Sequence, residues 1–412
     1  MIYQTNLVYQ MNIMDPKNFF YEMGPIRPPS EGRDSSLLIR ATRNCPWNKC
    51  EFCPTYKNVK FESRRAEEIK KDIYVVKKLS EEIKEASWRF AFAGKVNQEV
   101  VRAIFQGNPE IYQGDLNSEL KLQNLMNVAN WLASGAKTVF LQDANTLIMR
   151  TPELIEVIKS LKENFPTIER VTSYARAKTC AKKSLEELKG LHEAGLSRLH
   201  VGLESGYDEV LEYMNKGVTA EEHILGGKKV VESGISLSEY LMPGLGGRKW
   251  SEVHARESAR VLNEIGPDFI RLRSLIVRRG SPLWEKRQSG DFEELSEDEV
   301  IDEIGVLIEN LNCRSYVASD QMSNLLFELE GQLPEDKEKI LKVVEKYRAK
   351  LPMEKLEFRL KHRLQSYLGV YGGLDPQLSE IVQEAQEAIQ KELPEAGAKT
   401  NQALLALKER FV

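Results

Sequence analysis

Residues 36–54, SLLIRATRNCPWNKCEFCP, join an apolar run to a loop that holds Cys45, Cys50 and Cys53 in the spacing C-x4-C-x2-C. Closely spaced thiolates favour a soft metal. A structural zinc ion usually has four protein ligands, yet neither Cys nor His occurs between Cys53 and Ser80. Three thiolates around a four-iron cluster would instead leave one iron open for a ligand. The loop therefore favours a catalytic iron-sulfur cluster, with zinc or another structural metal as the alternative.

Beyond this loop, short β-branched or apolar runs alternate with amphipathic helical stretches as far as Trp284, which is typical of a parallel sheet covered by helices. Six strand-helix units predict an α/β fold, a partial (β/α)6 barrel similar to a TIM barrel. The strands are predicted at residues 36–42, 138–142, 170–174, 198–203, 236–241 and 269–277.

The predicted strands alternate in polarity, although buried parallel strands usually form continuous apolar runs. Because side chains on a strand alternate between its faces, one face would line the barrel lumen with polar groups. Such burial is costly unless the groups bind one another, water or a ligand. The sequence thus predicts a ligand-binding lumen lined by Arg40, Thr42, Thr172, Tyr174, Arg176, His200, Glu204, Ser236, Ser238, Tyr240, Arg271 and Arg273.

The chain is expected to have three parts. Residues 1–35 are predicted as an N-terminal extension, residues 36–285 as the barrel, and residues 286–412 as a charged helical C-terminal region. A helical insert at about 66–136 is much longer than a single strand crossover requires, and it is expected to cover the barrel mouth.

Composition limits the classes of function. Acidic and basic residues nearly cancel, at 62 against 58, so no overall field draws the chain to nucleic acid or to an anionic membrane. No run of about 18 apolar residues occurs, and the N-terminal residues lack a basic start followed by an apolar core. Cys180 and Cys313 stand alone, which is no disulfide framework and suits a reducing compartment. These features predict a cytoplasmic protein without a membrane span.

The cysteine loop, with Phe52 before its last cysteine, resembles that of the radical S-adenosylmethionine superfamily, whose usual spacing is C-x3-C-x2-C. This sequence has one extra residue in the first gap. The resemblance implies that Cys45, Cys50 and Cys53 bind a [4Fe-4S] cluster whose open iron binds S-adenosylmethionine. One electron from an external donor such as flavodoxin or ferredoxin would cleave this cofactor to a 5′-deoxyadenosyl radical, which takes hydrogen from the substrate.

Further segments, including 242–247 and 279–284, resemble the branch of oxygen-independent coproporphyrinogen oxidases and methylthiotransferases. In this resemblance, Glu204 matches an acid that contacts the ribose, and Lys216 a base that pairs with the methionine carboxylate. Asp143 and the carbonyl of Gln142 match, by position, the segment that binds the methionine amine. The resemblance also implies cofactor contacts from Phe52, Tyr174 and Arg176.

Substrate contacts are expected from His200, Tyr240, Arg271 and Arg273 on the polar strand face. A guanidinium does not lose its proton, so an inward-facing arginine needs a carboxylate, a phosphate or a water-filled pocket. Two arrangements meet this need. Arg271 and Arg273 could pair internally with Glu204, Glu239 or a helix carboxylate, or they could recognise an anionic substrate.

Together these observations predict a radical S-adenosylmethionine enzyme that abstracts hydrogen from a small anionic substrate. An RNA-modifying radical enzyme and a non-enzymatic, metal-stabilised binding module are the alternatives. The two remaining cysteines are too few for auxiliary clusters, which argues against sulfur insertion. They are interpreted as small buried side chains, and surface positions are predicted for His192, His223, His254 and His362.

Overall fold

The computed structural model describes residues 20–29 and 35–410, so the predicted N-terminal extension lies mostly outside the described residues. Its strands are β1 (Ser36–Arg40), β2 (Thr42–Arg43), β3 (Glu62–Ser63), β4 (Thr138–Gln142), β5 (Arg170–Ala175), β6 (Leu196–Glu204), β7 (Ser236–Leu241), β8 (Phe269–Leu272), β9 (Tyr316–Ala318) and β10 (Gly331–Gln332).

The helices cover the predicted insert, the crossovers between strands and the C-terminal region. They are α1 (Ala66–Arg89), α2 (Gln98–Gly107), α3 (Pro109–Tyr112), α4 (Leu116–Ala133), α5 (Thr151–Asn164), α6 (Ala177–Lys182), α7 (Leu185–Ala194), α8 (Asp208–Tyr213), α9 (Ala220–Glu232), α10 (Gly247–Ile265), α11 (Pro282–Ser289), α12 (Glu297–Asn310), α13 (Lys337–Arg348), α14 (Pro352–Tyr371), α15 (Pro376–Gln390) and α16 (Ala396–Lys408). A 3-10 turn, Thr146–Ile148, follows β4.

The main sheet has eight strands in the order β1-β4-β5-β6-β7-β8-β9-β10. In this sheet the pairs β1/β4, β4/β5, β6/β7, β7/β8 and β8/β9 are parallel, and the last pair, β9/β10, is antiparallel. The predicted α/β class with a barrel-type parallel sheet is therefore confirmed. The sheet extends past the six predicted strands by β9 and β10. The sequence did not predict these strands because, at three and two residues, they are too short to show a periodicity.

Two predicted strands are shorter than expected. β1 ends at Arg40, and Thr42–Arg43 instead pairs antiparallel with Glu62–Ser63 in a separate two-stranded ladder. β8 ends at Leu272 rather than residue 277, because the next polar groups leave the ladder: the backbone N–H of Ser274 donates to Asn324 Oδ1 at 2.8 Å.

The described chain forms two compact units. The first comprises residues 20–29, 35–43, 62–173 and 193–196. Its core includes α1, whose Ile69, Ile73 and Val76 recur at the three- and four-residue spacing of one helix face and are fully buried. Tyr21 enters this core from the N-terminal side, where its hydroxyl donates to Asn127 Oδ1 at 2.8 Å.

The second unit comprises residues 44–61, 174–192 and 197–410, and it holds β6 from Ser197 onward, β7 to β10 and the C-terminal helices. The helices α14, α15 and α16 share an apolar core that includes Leu360, Leu378 and Leu407. Arg363 of α14 forms a buried ion pair with Glu297 at the start of α12, at 2.8 Å. None of the described helices is long and apolar enough to span a membrane.

Candidate active site

The cysteine loop is attached to the rest of the second unit by two backbone hydrogen bonds of Glu51 and by the side chain of Trp47. The N–H of Glu51 donates to the carbonyl of Met214 at 2.9 Å, and the N–H of Leu283 donates to the carbonyl of Glu51 at 3.0 Å. The indole N–H of Trp47 donates to the carbonyl of Asn215 at 2.6 Å. The loop is therefore fixed between the turn that follows α8 and the start of α11.

The three thiols of the loop are all half-buried. The backbone N–H of Asn48 points at Cys45 Sγ, 3.4 Å away. Burial raises the pKa of the Cys50 thiol to about 11, against the opposing effect of the Lys216 and Arg176 cations. Deprotonation at this position is thus costly unless a positive group, such as iron, binds the sulfur. In the described part of the chain, no set of three or more Cys, His, Asp or Glu side chains is arranged to hold a single metal ion.

Glu204 and Lys216 form an ion pair beside this loop. Lys216 Nζ lies 2.9 Å from Glu204 Oε1, and both side chains are largely buried. Burial opposes the charge of Lys216, but the attraction of Glu204 and Cys50 keeps its pKa above the ordinary value. Gly202 leaves the space for the pair, because a Cβ there would lie 2.2 Å from Glu204 Oε1.

Two further predicted cofactor residues surround Lys216. Its ammonium lies 5.7 Å from the centre of the Phe52 ring, within the range of a cation-π contact. Arg176 Nη2 donates to the backbone carbonyl of Lys216 at 2.7 Å, and its guanidinium lies 5.1 Å from the centre of the Trp47 ring. Five of the predicted residues, Cys50, Phe52, Arg176, Glu204 and Lys216, thus meet in one place.

Three predicted lumen residues from neighbouring strands form an aromatic cluster. The ring centres of Tyr174 and His200 are 5.7 Å apart, those of Tyr174 and Tyr240 are 6.1 Å apart, and those of His200 and Tyr240 are 6.2 Å apart. Burial raises the pKa of Tyr240 well above its ordinary value, so the phenol is neutral. The cluster offers ring edges, hydroxyls and an imidazole to a ligand on this face of the sheet.

The two predicted arginines of β8 and its end differ in environment. Arg271 is buried and pairs internally with Asp320, at 2.9 Å. This partner was not among those expected, since Asp320 follows β9. Arg273 is exposed and forms no ion pair with any described residue.

Arg278, which the sequence analysis missed, also lacks an acidic partner within residues 35–410. Burial, and then the neighbouring Arg273 cation, lowers its pKa, while Cys53 acts in the opposite direction. The charges of Arg273 and of Cys53 in the cysteine loop thus both act on Arg278. The sequence offered one signal for Arg278: it follows Arg273 by five residues after a predicted lumen strand, with no acidic residue between them.

The remaining predicted cofactor residues, Gln142 and Asp143, lie in the first unit and are fully buried. Asp143 Oδ2 accepts from Arg40 Nη2 at 2.9 Å, so its carboxylate is engaged with another predicted lumen residue. The side-chain amide of Gln142 is also engaged, with the backbone N–H of Gly24 at 2.9 Å. Their predicted contact with the methionine amine stays a prediction.

Two histidine predictions were wrong. His223 and His254 are buried, because they lie on the core-facing sides of α9 and α10. His254 Nδ1 lies 2.8 Å from Ser205 Oγ, and burial lowers the pKa of this histidine to about 4. Cys180 and Cys313 are buried, as expected.

Known proteins similar to this chain agree with the cysteine loop in pointing to one superfamily. Residues 106–258 match the model of the Radical SAM superfamily. This match spans β4 to β7 and begins after the cysteine loop, so the two observations are independent.

Similar individual proteins cover only parts of the chain. The chain is 27% identical over 125 residues to a tRNA uridine(34) acetyltransferase of Methanocaldococcus jannaschii, which is 30% of this chain and 22% of the relative. It is 25% identical over 154 residues to Elongator complex protein 3 of Mus musculus, 36% of this chain and 26% of the relative. The chain therefore spans about a quarter of the length of these curated relatives.

Among solved structures, that of methylornithine synthase has a TM-score of 0.40 and 14% identity, covering 75% of this chain and 68% of that one. The family match and the loop carry the assignment. Residues 106–258 of this chain are thus similar to the Radical SAM superfamily, the same superfamily that the cysteine loop resembles.

Proposed function

We propose that this chain is a radical S-adenosylmethionine enzyme that binds a [4Fe-4S] cluster through Cys45, Cys50 and Cys53 and abstracts hydrogen from a small anionic substrate. The observation that carries the proposal is the convergence of the Glu204–Lys216 ion pair with Cys50. When bound, the cluster and S-adenosylmethionine supply one-electron cleavage and a radical that takes hydrogen, while the protein supplies position. An external one-electron donor completes the reaction.

The side chains around Cys50 suit the two ends of S-adenosylmethionine. Lys216 offers an ammonium to the methionine carboxylate, and Arg176 adds a second cation nearby. Glu204 offers a carboxylate that can accept from both ribose hydroxyls, in charge-assisted hydrogen bonds. In this structure the ammonium of Lys216 and the carboxylate of Glu204 neutralise each other at 2.9 Å, so neither group is a buried charge without a partner.

An anionic substrate is supported by Arg273 and Arg278, because neither has an acidic partner among the described residues. Two neighbouring guanidiniums repel each other and favour a carboxylate or phosphate between them. Arg271 is less suited to this role since Asp320 already neutralises it. The residues proposed to recognise an anionic substrate are therefore Arg273 and Arg278, in place of Arg271 and Arg273.

Anaerobic reconstitution tests the cofactor. We expect about four irons per chain, bound in the parent and in Cys180→Ala but lost in Cys50→Ala, and formation of 5′-deoxyadenosine when the loaded protein is reduced with dithionite. A native protein loaded with zinc, or a cluster that survives Cys50→Ala, would exclude the proposal and favour a metal-stabilised binding module.

RNA modification is the second candidate, favoured by the similarity to a protein named tRNA uridine(34) acetyltransferase. The two substrate classes can be separated with the reconstituted protein. We expect a pool of small acidic metabolites, and not total tRNA, to stimulate 5′-deoxyadenosine formation, and Arg273→Met to abolish that stimulation while cofactor affinity is kept. Stimulation by tRNA alone would select the RNA candidate.

A further inference from the structure

Trp47 occupies the first gap of the cysteine loop, the gap with one residue more than the usual spacing. Its side chain turns back onto the turn that follows α8, where the indole N–H donates to the carbonyl of Asn215 at 2.6 Å. This turn carries Lys216. Trp47, a residue of the cysteine loop, thus contacts the backbone directly before Lys216, a predicted cofactor residue.

The turn has a left-handed backbone and lies in close contact with the indole. Asn215 and Gly217 both have left-handed backbone conformations, with φ of 49° and 69°. A Cβ at position 217 would lie 2.2 Å from Trp47 Cζ2 and 2.4 Å from Cε2. Glycine is therefore required twice, for its conformation and for the space that the ring fills.

Arg176 contacts both the indole and the turn. Its guanidinium lies 5.1 Å from the centre of the Trp47 ring, and Nη2 donates to the carbonyl of Lys216 at 2.7 Å. The indole thus touches both the backbone of the turn and the side chain that holds it. From the fixed turn, the side chain of Lys216 extends to Glu204.

Other contacts hold the cysteines without Trp47. The backbone bonds of Glu51 to Met214 and to Leu283 fix the second half of the loop and involve no indole atom. Loss of the indole should therefore leave the thiols in place, while the Asn215–Gly217 backbone and Arg176 lose their common support.

We infer that Trp47 is a positioning residue, which holds Lys216 and Arg176 in the arrangement that binds S-adenosylmethionine. The inference rests on the proposed function for the identity of the ligand. It assigns a role to the extra residue of the first gap: the longer gap lets an aromatic side chain reach the turn.

The test compares single and double variants by iron content and by calorimetric titration of the anaerobically reconstituted protein with S-adenosylmethionine. Trp47→Ala should keep its iron but weaken cofactor binding about tenfold, the effect of losing one hydrogen bond of ordinary strength to an ordered group. Trp47→Phe keeps a ring against Gly217 and Arg176, so it should recover part of the affinity.

Gly217→Ala should weaken binding at least as strongly, because its methyl group collides with the ring. Gly266→Ala is the matched control: Gly266 has a similar φ of 62° but nothing within 4 Å of the added carbon, so cofactor affinity should be unchanged. Combining Trp47→Ala with Gly217→Ala removes the collision but not the cost of the left-handed backbone, so Gly217→Ala should weaken binding clearly less in Trp47→Ala than in the parent.

Parental affinity in Trp47→Ala, or full additivity in the double variant, would overturn the inference. If the parent binds neither iron nor S-adenosylmethionine, the proposed function fails instead. The contact between Trp47 and Gly217 can then still be tested by thermal unfolding of the cofactor-free variants. Gly217→Ala should lower the unfolding midpoint more in the parent than in Trp47→Ala.

Discussion

Glu303 of α12 is a buried carboxyl group that joins this helix to the glycine-rich segment after β7. Its Oε1 accepts the backbone N–H of Gly244 at 2.6 Å, and its Oε2 accepts the hydroxyl of Ser251 at 2.6 Å. His254 Nε2 lies 3.5 Å from Oε1, but burial keeps that histidine neutral at ordinary pH. Burial raises the pKa of Glu303 to about 7, despite the two hydrogen bonds.

This shift makes the stability of the protein depend on pH in a defined direction. Because the folded pKa is raised above the ordinary value of 4.5, the contribution of Glu303 is fully present below about pH 4.5. This stabilising contribution is lost as the pH rises toward 7, and above pH 7 ionisation of Glu303 changes the free energy of unfolding no further. At about 1.4 kcal/mol per pH unit, the loss in the free energy of unfolding amounts to about 3 kcal/mol.

Glu303→Gln removes the ionisation while keeping an acceptor for Gly244 and a donor for Ser251. We expect the free energy of unfolding of the variant, relative to the parent, to rise by about 3 kcal/mol between pH 4.5 and pH 8, measured by urea denaturation of the cofactor-free protein. Glu299→Gln on the same helix is the control, since, against the effect of burial, the backbone N–H of Ser296 and then Arg248 hold the pKa of Glu299 below its ordinary value. Its difference from the parent should stay constant over pH 5 to 8. A constant difference for Glu303→Gln as well would refute the reasoning.

Two further predictions concern buried charge. Arg363→Met should lower the free energy of unfolding by about 3 kcal/mol, the low end of the cost of breaking a buried pair, because Glu297 loses its bidentate partner and keeps only Lys408, at 2.6 Å. Arg348→Met, at the more exposed pair with Asp302, should cost about 1 kcal/mol or less by the same urea assay. Glu204→Ala should keep the iron of the reconstituted protein but weaken S-adenosylmethionine binding by on the order of 1.5–3 kcal/mol by calorimetry, and unchanged affinity would exclude its role.

Local periodicity was sufficient to predict the strands that begin and end within one run. β4 has the predicted bounds, since Thr138–Gln142 is bounded by glycine before it and polar residues after it. Residues 42 and 43 could not be placed this way, because they pair with Glu62–Ser63, which lies beyond the whole cysteine loop in the sequence. The partner of Arg271 was inaccessible for the same reason: Asp320 is 49 residues away along the chain.

The buried histidines, in contrast, left a signal. His254, Ser258 and Leu262 recur every four residues, so the core face of α10 could have been assigned before the charged neighbours were considered. Composition around a residue is a weaker guide to burial than its position on the helix. Likewise, Glu239 was considered as a partner for an arginine, yet it is fully buried without a side-chain hydrogen bond to any described residue, and burial raises its pKa well above the ordinary value.

The first gap of the cysteine loop shows why departures from a motif need structural reading. In sequence, the extra residue only weakens the match to C-x3-C-x2-C. In the folded chain, the gap contains Trp47, whose side chain reaches the backbone of Asn215, and the glycine two residues after Asn215 has no room for a methyl group. Trp47 and Gly217 are 170 residues apart, so neither is informative alone. Their complementarity is a physical constraint that acts on the loop and the turn together, and the insertion and the glycine are then two halves of one feature.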